Sequence, residues 1–149
     1  MYKTILVPLD GSKRAEAILP HVENLALSLN AKVILFKVAE PSLVLEYDEV
    51  IDMSMFLEKS DKQKKDAESY LASLQEKFRA KGIEAQIFIG HGPVVKAIID
   101  AAEQENAKLV AMASHGHGGL LRTFYGSVAS GVLQRIDRPL LLIRSRRDE

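Results

Sequence analysis

Five short runs of apolar residues recur along the chain, and each predicts a β-strand. They are rich in Ile, Val and Leu and show little alternation with polar residues, which is typical of strands covered on both faces in a parallel sheet. In chain order the runs are 3–8 (KTILVP), 31–38 (AKVILFKV), 85–89 (AQIFI), 108–112 (KLVAM) and 139–144 (PLLLIR). Helical patterns separate the runs, so the chain is predicted to alternate between strands and helices.

Apolar residues at three- and four-residue spacing predict four helices between these strands. The predicted helix starts are Ser12, Asp61, Pro93 and Ser127. Ser12 is expected to be the N-cap of the first helix, which runs to about residue 29 with a kink at Pro20. Gly82 is expected to stop the second helix near residue 81. The inner face of that second helix is predicted to comprise Ala67, Tyr70, Leu71, Leu74 and Phe78.

This alternation predicts a fold of the α/β class, an open doubly wound parallel five-stranded sheet with helices on both faces. The expected strand order is 3-2-1-4-5, which places a topological switch point between strands 1 and 4. In such sheets the ligand crevice lies outside the carboxyl ends of the strands at that switch. Residues 1–149 are expected to form one domain, and the apolar connection 41–59 is expected to hold a short helix or a packed cover.

Composition and charge narrow the classes of partner. Twenty Lys and Arg residues balance twenty Asp and Glu residues, so no global field attracts nucleic acid or an anionic membrane. No apolar run approaches the roughly 20 residues needed to span a bilayer, and the N-terminus does not resemble a signal peptide, so a cytoplasmic location is expected. The absence of cysteine excludes disulfides, thiolate zinc sites and cysteine nucleophiles.

The chemistry is concentrated after strand 4, where residues 113–133 read ASHGHGGLLRTFYGSVASGVL. The glycines of this stretch that precede the fourth helix are Gly116, Gly118, Gly119 and Gly126. Glycine lets backbone N–H groups approach a phosphate, and a helix start adds oriented donors, so the pattern predicts an anion cradle. Ser127 is expected to cap the helix and to donate its hydroxyl to a phosphate oxygen. The alternative is that these glycines serve only tight turns.

Several phosphate and catalytic motifs are absent. The chain has no GxxxxGK[ST], and no GxGxxG follows strand 1, which argues against ATPase motors and dinucleotide dehydrogenases. The nucleophile elbow GxSxG of the α/β-hydrolases is also missing. Nucleotide binding without an obvious catalytic apparatus is therefore favoured over these enzyme classes.

Taken together, ILVPLDGS, VILFKV, the stretch 112–127 and PLLLIR resemble the universal stress protein family over essentially the whole chain. The family's nucleotide motif is G, two residues, G, nine residues, then G followed by S or T. Here the second glycine is Gly116, the gap is 117–125, and the final pair is Gly126 and Ser127. The first position departs from the motif because it is Ala113. The loss is slight if the φ angle at that position is negative.

The resemblance implies that ATP binds in the crevice, with Gly116, Gly126 and Ser127 around the phosphates and Asp10 near the adenosine. It further implies that Val38 faces the adenine, and that strand 1 forms the wall beside it. The candidate nucleotide-binding residues are Pro8, Leu9, Asp10, Val38, Met112, Ala113, Gly116, His117, Gly126, Ser127 and Val128. No catalytic or metal-ligating residue is assigned.

Two of these residues keep alternative interpretations. Asp10 either accepts hydrogen bonds from the nucleoside or helps to hold Mg²⁺, or it is an acid that complements a helix dipole, and the two roles are compatible. Met112 either packs against the base or belongs simply to the core.

The histidines do not form an evident metal site. In the expected strand order, His91 lies three strands from strand 4, about 14 Å away, too far to share an ion with His115 and His117. His117 beside a phosphate would instead donate a hydrogen bond or gain charge when the ligand arrives. A catalytic triad of Ser114, His115 and Asp10 is disfavoured because chain neighbours rarely face each other.

The last strand, PLLLIR, is strongly apolar and lies at the sheet edge in the expected order, which invites pairing with another copy. A homodimer through this strand is expected, and the family resemblance points the same way. The leading hypothesis is a dimeric, ATP-binding stress-response module with at most slow hydrolysis and without nucleic-acid or membrane partners. The alternatives are a nucleotidyl transferase or ATP hydrolase of a related α/β fold, and a dimeric stress protein that does not bind nucleotide.

Overall fold

The computed structural model describes residues 1–39, 53–114 and 126–145. Strands and helices alternate along these residues, as the apolar pattern predicts. In chain order the elements are β1 (Thr4–Leu9), α1 (Lys13–Glu16), α2 (Leu19–Leu29), β2 (Lys32–Val38), α3 (Met53–Ala80), β3 (Ala85–Gly90), α4 (Val94–Gln104), β4 (Leu109–Ala113), α5 (Ser127–Arg135) and β5 (Leu140–Ile143).

The five strands form one parallel sheet in the order β3-β2-β1-β4-β5, which confirms the predicted order and fold class. Val7 of β1 lies beside Leu35 of β2, and Leu6 of β1 lies beside Val110 of β4. Because the strands are parallel, all five carboxyl ends lie along one edge of the sheet. This edge carries the segments in which the sequence predicts binding.

Alternate residues of the strands supply two separate cores, which explains why their sequences are apolar throughout. On one face, Val7 and Leu35 pack with the buried residues of α1, α2 and α3. On the other face, Phe36 and Val110 pack with α4 and α5. Helices therefore cover both faces of the sheet, as predicted.

The predicted first helix is two helices, α1 and α2, and the expected kink at Pro20 is wrong. Proline has no N–H group, and its ring clashes with the carbonyl four residues earlier, here that of Glu16. As a result, α1 ends at Glu16 and Pro20 lies in the first turn of α2. An N–H group in the first turn has no partner within the helix, so its absence costs nothing there.

Helix α3 begins at Met53, eight residues before its predicted start, and ends at Ala80, just before Gly82. Its predicted inner face is confirmed in that Ala67, Leu71, Leu74 and Phe78 are buried and Tyr70 is partly buried. Most of the residues from 54 to 66 are exposed, so this half of the helix has no buried stripe to reveal its periodicity. Residues 53–59 of the predicted long connection are thus helical, and its remainder, 41–52, lies outside the described residues.

Across the described residues, no helix combines the length and the apolar character needed to cross a membrane.

Candidate functional site

The switch point lies between β1 and β4, which are neighbours at the centre of the sheet. From β1 the chain continues through α1 and α2 to β2, on one side of this boundary. From β4 it continues through α5 to β5, on the other side and over the opposite face. The two connections diverge from their strands, so a crevice opens at the carboxyl edge between them.

A tight turn at Asp10, Gly11 and Ser12 forms the β1 side of this crevice. The carboxylate of Asp10 accepts a hydrogen bond from the Ser12 N–H group at 2.9 Å. Gly11 has a φ angle of +90°, a conformation that other residues rarely adopt. The Ser12 hydroxyl accepts from the Ala15 N–H group at 3.1 Å, which confirms Ser12 as the N-cap of α1. These bonds hold the Asp10 carboxylate at the end of β1.

Lys37 lies beside this turn and was not among the predicted site residues. It pairs with Leu9 across the β1–β2 boundary. A Cβ atom added to Gly11 would lie 3.6 Å from the Lys37 Cε atom, so the lysine stem packs against the turn. Lys37 thus brings a positive charge to the same edge as Asp10. The available signal was a lysine within the otherwise apolar run VILFKV.

The opposite side of the crevice is formed by the start of α5, whose N-cap is Gly126. The expectation that Ser127 caps this helix is wrong because Ser127 is already its first helical residue and is exposed. Gly126 has φ +70° and ψ +157°, a combination essentially restricted to glycine. It has no side chain to cap the helix, so it leaves the first-turn N–H groups without a bond from the N-cap residue. Its own carbonyl accepts from the Ser130 N–H group at 3.0 Å.

Ala113, which replaces the first glycine of the family motif, is the last residue of β4 and pairs with Ile143. In the part of the chain that the structure describes, the non-glycine residues with positive φ are Asn30 and Asn106 alone. Ala113 therefore has the negative φ that any residue adopts. The substitution of glycine by alanine costs no backbone strain at this position.

The remaining predicted residues fall into groups at the carboxyl edge. Pro8 and Leu9 end β1, and Leu9 is buried in the core beneath α1, α2 and α3. Val38 ends β2, and Met112 lies next to last in β4; both are buried in the core beneath α4 and α5. Val128, in the first turn of α5, is partly buried against that same core. Gly116 and His117 lie outside the described residues.

Tyr70 brings α3 to the β1 side of this edge. Its hydroxyl donates a hydrogen bond to a carboxylate oxygen of Glu16, the last residue of α1, at 2.6 Å. Burial raises the pKa of Tyr70 far above its ordinary value of 10.0. The hydrogen bond to Glu16, the charge of Glu16 and the charge of Asp10 raise it further. The tyrosine is therefore a neutral donor at physiological pH, within electrostatic reach of Asp10.

Of the described histidines, His91 is set apart from the switch point by the strand order. His91 follows β3, at the far end of the sheet from β4, as the strand order predicts. His115 and His117 lie outside the described residues. Among residues 1–39, 53–114 and 126–145, no three His, Asp or Glu side chains are grouped so that they could hold a metal ion.

Comparison with known proteins decides the family. The sequence profile of the Universal stress protein family matches residues 1–144. The chain belongs to the universal stress protein family. Its relatives within this family include Universal stress protein MJ0577 of Methanocaldococcus jannaschii, which is 26% identical over 155 residues, 97% of this chain and 96% of that protein. The solved structure of MJ0577 is similar to this chain with a TM-score of 0.81 and 25% identity, and the match covers 99% of both chains.

Two more distant members of the family have been solved with an adenine nucleotide. One is a universal stress protein in complex with cAMP, with a TM-score of 0.71 and 20% identity over 97% of this chain and 99% of that one. The other is an Arabidopsis thaliana family member with AMP bound, with a TM-score of 0.66 and 16% identity over 98% of this chain and 94% of that one. Both share the fold described above.

Proposed function

We propose that this universal stress protein binds an adenine nucleotide, with ATP as its ligand, in the crevice between β1 and β4. The observation that carries the proposal is the glycine-only conformation of Gly126, the N-cap without a side chain at the start of α5, on the α5 side of the switch point. A side chain there would be strained, and the start of a helix offers N–H groups and a partial positive charge to an anionic ligand. The related structures with AMP and cAMP support an adenine nucleotide as that ligand.

The nucleotide is expected to use the three parts of the crevice differently. The N–H groups at the start of α5 suit the phosphates because the helix start carries a partial positive charge, and the exposed Ser127 hydroxyl is available to the same oxygens. Together with Gly116, His117 and Ala113 they form the proposed phosphate side. Asp10 is the proposed partner of the ribose hydroxyls, and Mg²⁺ is a proposed companion of the phosphates. Val38 is the proposed partner of the base, with Pro8 and Leu9 as the wall beside it and Met112 as a further apolar contact. Val128 lies in the first turn of α5, on the proposed phosphate side.

The described residues suit binding better than turnover. A phosphoryl-transfer enzyme needs a lysine on the terminal phosphates and a positioned base or water. Neither the P-loop motif nor an arranged base is found in the described parts of the crevice. We therefore propose a cytoplasmic, dimeric module whose state depends on the bound nucleotide, with hydrolysis slow at most.

Thermal unfolding with and without Mg-ATP tests the binding proposal. If only the native state binds, ATP at a hundredfold excess over its dissociation constant should stabilise the protein by about 2.7 kcal/mol. AMP and cAMP should produce shifts of their own, and GTP at equal concentration should produce a smaller one. A melting temperature that no adenine nucleotide changes, at millimolar concentration, would refute the proposal.

A further inference from the structure

Helix α1 follows the Asp10 turn at the end of β1, and it is too short to hold its own position. It consists of four residues, Lys13–Glu16. Fixing a single helical turn is unfavourable in isolation because it orders many dihedrals for one hydrogen bond. Contacts with other elements must therefore fix where α1, and the Asp10 turn in front of it, lie at the carboxyl edge.

The neighbouring helix α2 gives α1 little support. At the junction the Ala17 N–H group bonds to the Arg14 carbonyl at 3.3 Å, and the Ile18 N–H group bonds to the Ala15 carbonyl at 3.4 Å. Both are long three-residue bonds, at the weak end of hydrogen-bond geometry. The next helix starts at Leu19 with its own proline, so the regular hydrogen-bond ladder does not continue through the junction.

Among the described residues, two contacts tie α1 to other elements of the molecule. Ala15 is buried in the core beneath the helix, and it supplies one small side chain. Tyr70 supplies the other contact through its 2.6 Å hydrogen bond to Glu16, which joins α1 to α3 across 54 residues of sequence. The tyrosine ring packs against the core, so its hydroxyl is held in position by the 28-residue helix behind it.

We infer that Tyr70 is a positioning residue for the nucleotide site, acting through Glu16 and α1 on the Asp10 turn. The chain of bonds runs from Tyr70 to Glu16, along one helical turn to the Ser12 cap, and from the Ser12 N–H group to the Asp10 carboxylate. Loss of the tyrosine hydroxyl frees α1 at its far end and lets the Asp10 carboxylate leave the geometry that the ribose requires. This inference rests on the proposed function because it concerns the same crevice.

Isothermal titration of ATP into matched variants tests the inference. Tyr70→Phe keeps the packed ring and removes only the donor, and Glu16→Ala removes the acceptor. Each should weaken ATP binding about tenfold, the usual value of one hydrogen bond to a charged group. The double variant should bind no more weakly than either single variant, since both remove the same bond. Removing the negative charge of Glu16 would by itself strengthen the binding of an anionic ligand. Weaker ATP binding by Glu16→Ala would therefore reflect the lost hydrogen bond and not the lost charge.

Two further variants separate positioning from general damage. Glu16→Gln keeps an oxygen that accepts the tyrosine hydrogen bond, and it should restore affinity to within about twofold of wild type. Lys81→Met breaks the exposed 2.8 Å ion pair between Lys81 and Glu23, which joins the C-terminal end of α3 to α2, and should leave the affinity unchanged. Urea unfolding of each variant checks that the protein titrated is folded.

The outcomes distinguish this inference from the proposed function. If wild-type protein binds neither ATP nor AMP, the proposed function is wrong, and the inference that rests on it is wrong with it. If wild type binds ATP and folded Tyr70→Phe binds it equally well, Tyr70 does not position the site. Equal losses in Glu16→Gln and Glu16→Ala would overturn the role of the hydrogen bond, and an equal loss in Lys81→Met would overturn the specific role of Tyr70.

Discussion

At the residue scale, the crevice depends on two glycines whose backbone conformations other residues rarely adopt. Gly11 turns the chain after β1 with φ +90°, and Gly126 starts α5 with φ +70° and ψ +157°. The motif spacing identified Gly126 from the sequence, but the spacing did not explain why glycine is needed there. The φ and ψ angles supply the reason, and they also explain why Ala113 is acceptable at the end of a strand.

Gly126→Ala should both destabilise the protein and abolish ATP binding. The glycine-only conformation should cost alanine about 1–3 kcal/mol in the free energy of unfolding. Gly92→Ala is the matched control because Gly92, just beyond β3, has φ +91° with no atom near its missing Cβ. It should also lose stability, yet keep wild-type affinity for ATP. Urea unfolding and ATP titration of both variants measure the two effects, and unaltered ATP binding by Gly126→Ala would contradict the phosphate assignment.

Tyr70 should make the stability of the protein depend on pH in the alkaline range. Its pKa in the folded state lies above the unfolded value near 10, so its contribution is complete below pH 10 and falls as the pH rises beyond it. The difference in the free energy of unfolding between wild type and Tyr70→Phe should therefore shrink from about pH 8 to about pH 11. Urea titrations at several pH values measure it. A difference that is the same at pH 8 and at pH 11 would contradict this expectation.

At the element scale, the helices owe their limits and packing to contacts that local sequence only partly reveals. Proline at position 20 was recognised as a disturbance, but whether it bends a helix or divides one depends on where the two pieces pack. Ala15 of α1 and Leu19 of α2, on either side of the division, are buried in the same core, so two short helices satisfy both. The early start of α3 escaped prediction because a mostly exposed helical half shows no apolar periodicity.

Helices α4 and α5 approach each other closely at Gly131, so Gly131→Ala should destabilise the protein. A Cβ atom there would lie 2.7 Å from one Val95 methyl carbon and 3.3 Å from the other. Valine is β-branched and has little rotamer freedom, so it cannot easily move aside. Overpacking typically costs about 1–3 kcal/mol, and replacing glycine by alanine within a helix returns up to about 1 kcal/mol. The free energy of unfolding should therefore fall by about 1 kcal/mol.

The double variant Val95→Ala with Gly131→Ala tests this packing argument. Removing the valine methyl groups creates space for the new Cβ atom, so Gly131→Ala should be neutral or stabilising in the Val95→Ala background. Thermal unfolding of the four proteins in the cycle measures the interaction. If the cost of Gly131→Ala is the same with and without Val95, close helix packing is not its cause.

At the scale of the whole molecule, the edge strand β5 is the feature with consequences for assembly. Within the part of the chain that the structure describes, it pairs with β4 alone, and its four residues are only half-buried. The Val110 N–H group bonds to the Pro139 carbonyl, and the Ser114 N–H group bonds to the Ile143 carbonyl. In a parallel ladder these bonds alternate, so the N–H group of Leu142 points away from β4. The proposed homodimer would use such outward groups.

Leu142→Pro should therefore prevent dimerisation while leaving the β4–β5 ladder intact. Proline removes the outward N–H group at a position where edge strands tolerate it. Leu142→Ala is the matched control, because it loses the same side chain but keeps the N–H group. Sedimentation velocity should show dimers for wild type and Leu142→Ala and monomers for Leu142→Pro. A dimeric Leu142→Pro would show that β5 pairing does not hold the copies together.

Strand order, the two-faced sheet and the position of the crevice could all be inferred from the sequence. Runs such as VILFKV are apolar throughout because both faces of a central parallel strand are covered, and right-handed crossovers leave few ways to order such strands. The turn after β1 and the glycine at the start of α5 were also visible, since their residue types have strong local preferences. The turn and the glycine depend on residues that are adjacent along the chain, so the sequence shows them directly.

Only the folded chain brings together residues that are remote in sequence. Nothing local indicates that Tyr70 bonds to Glu16, that the stem of Lys37 packs against Gly11, or that Val95 limits residue 131. The N-cap of α5 likewise depended on backbone angles rather than on the preference of serine for caps. Long-range contacts arise from the packing of whole elements, and the packing selects one partner from many that local sequence leaves equally acceptable.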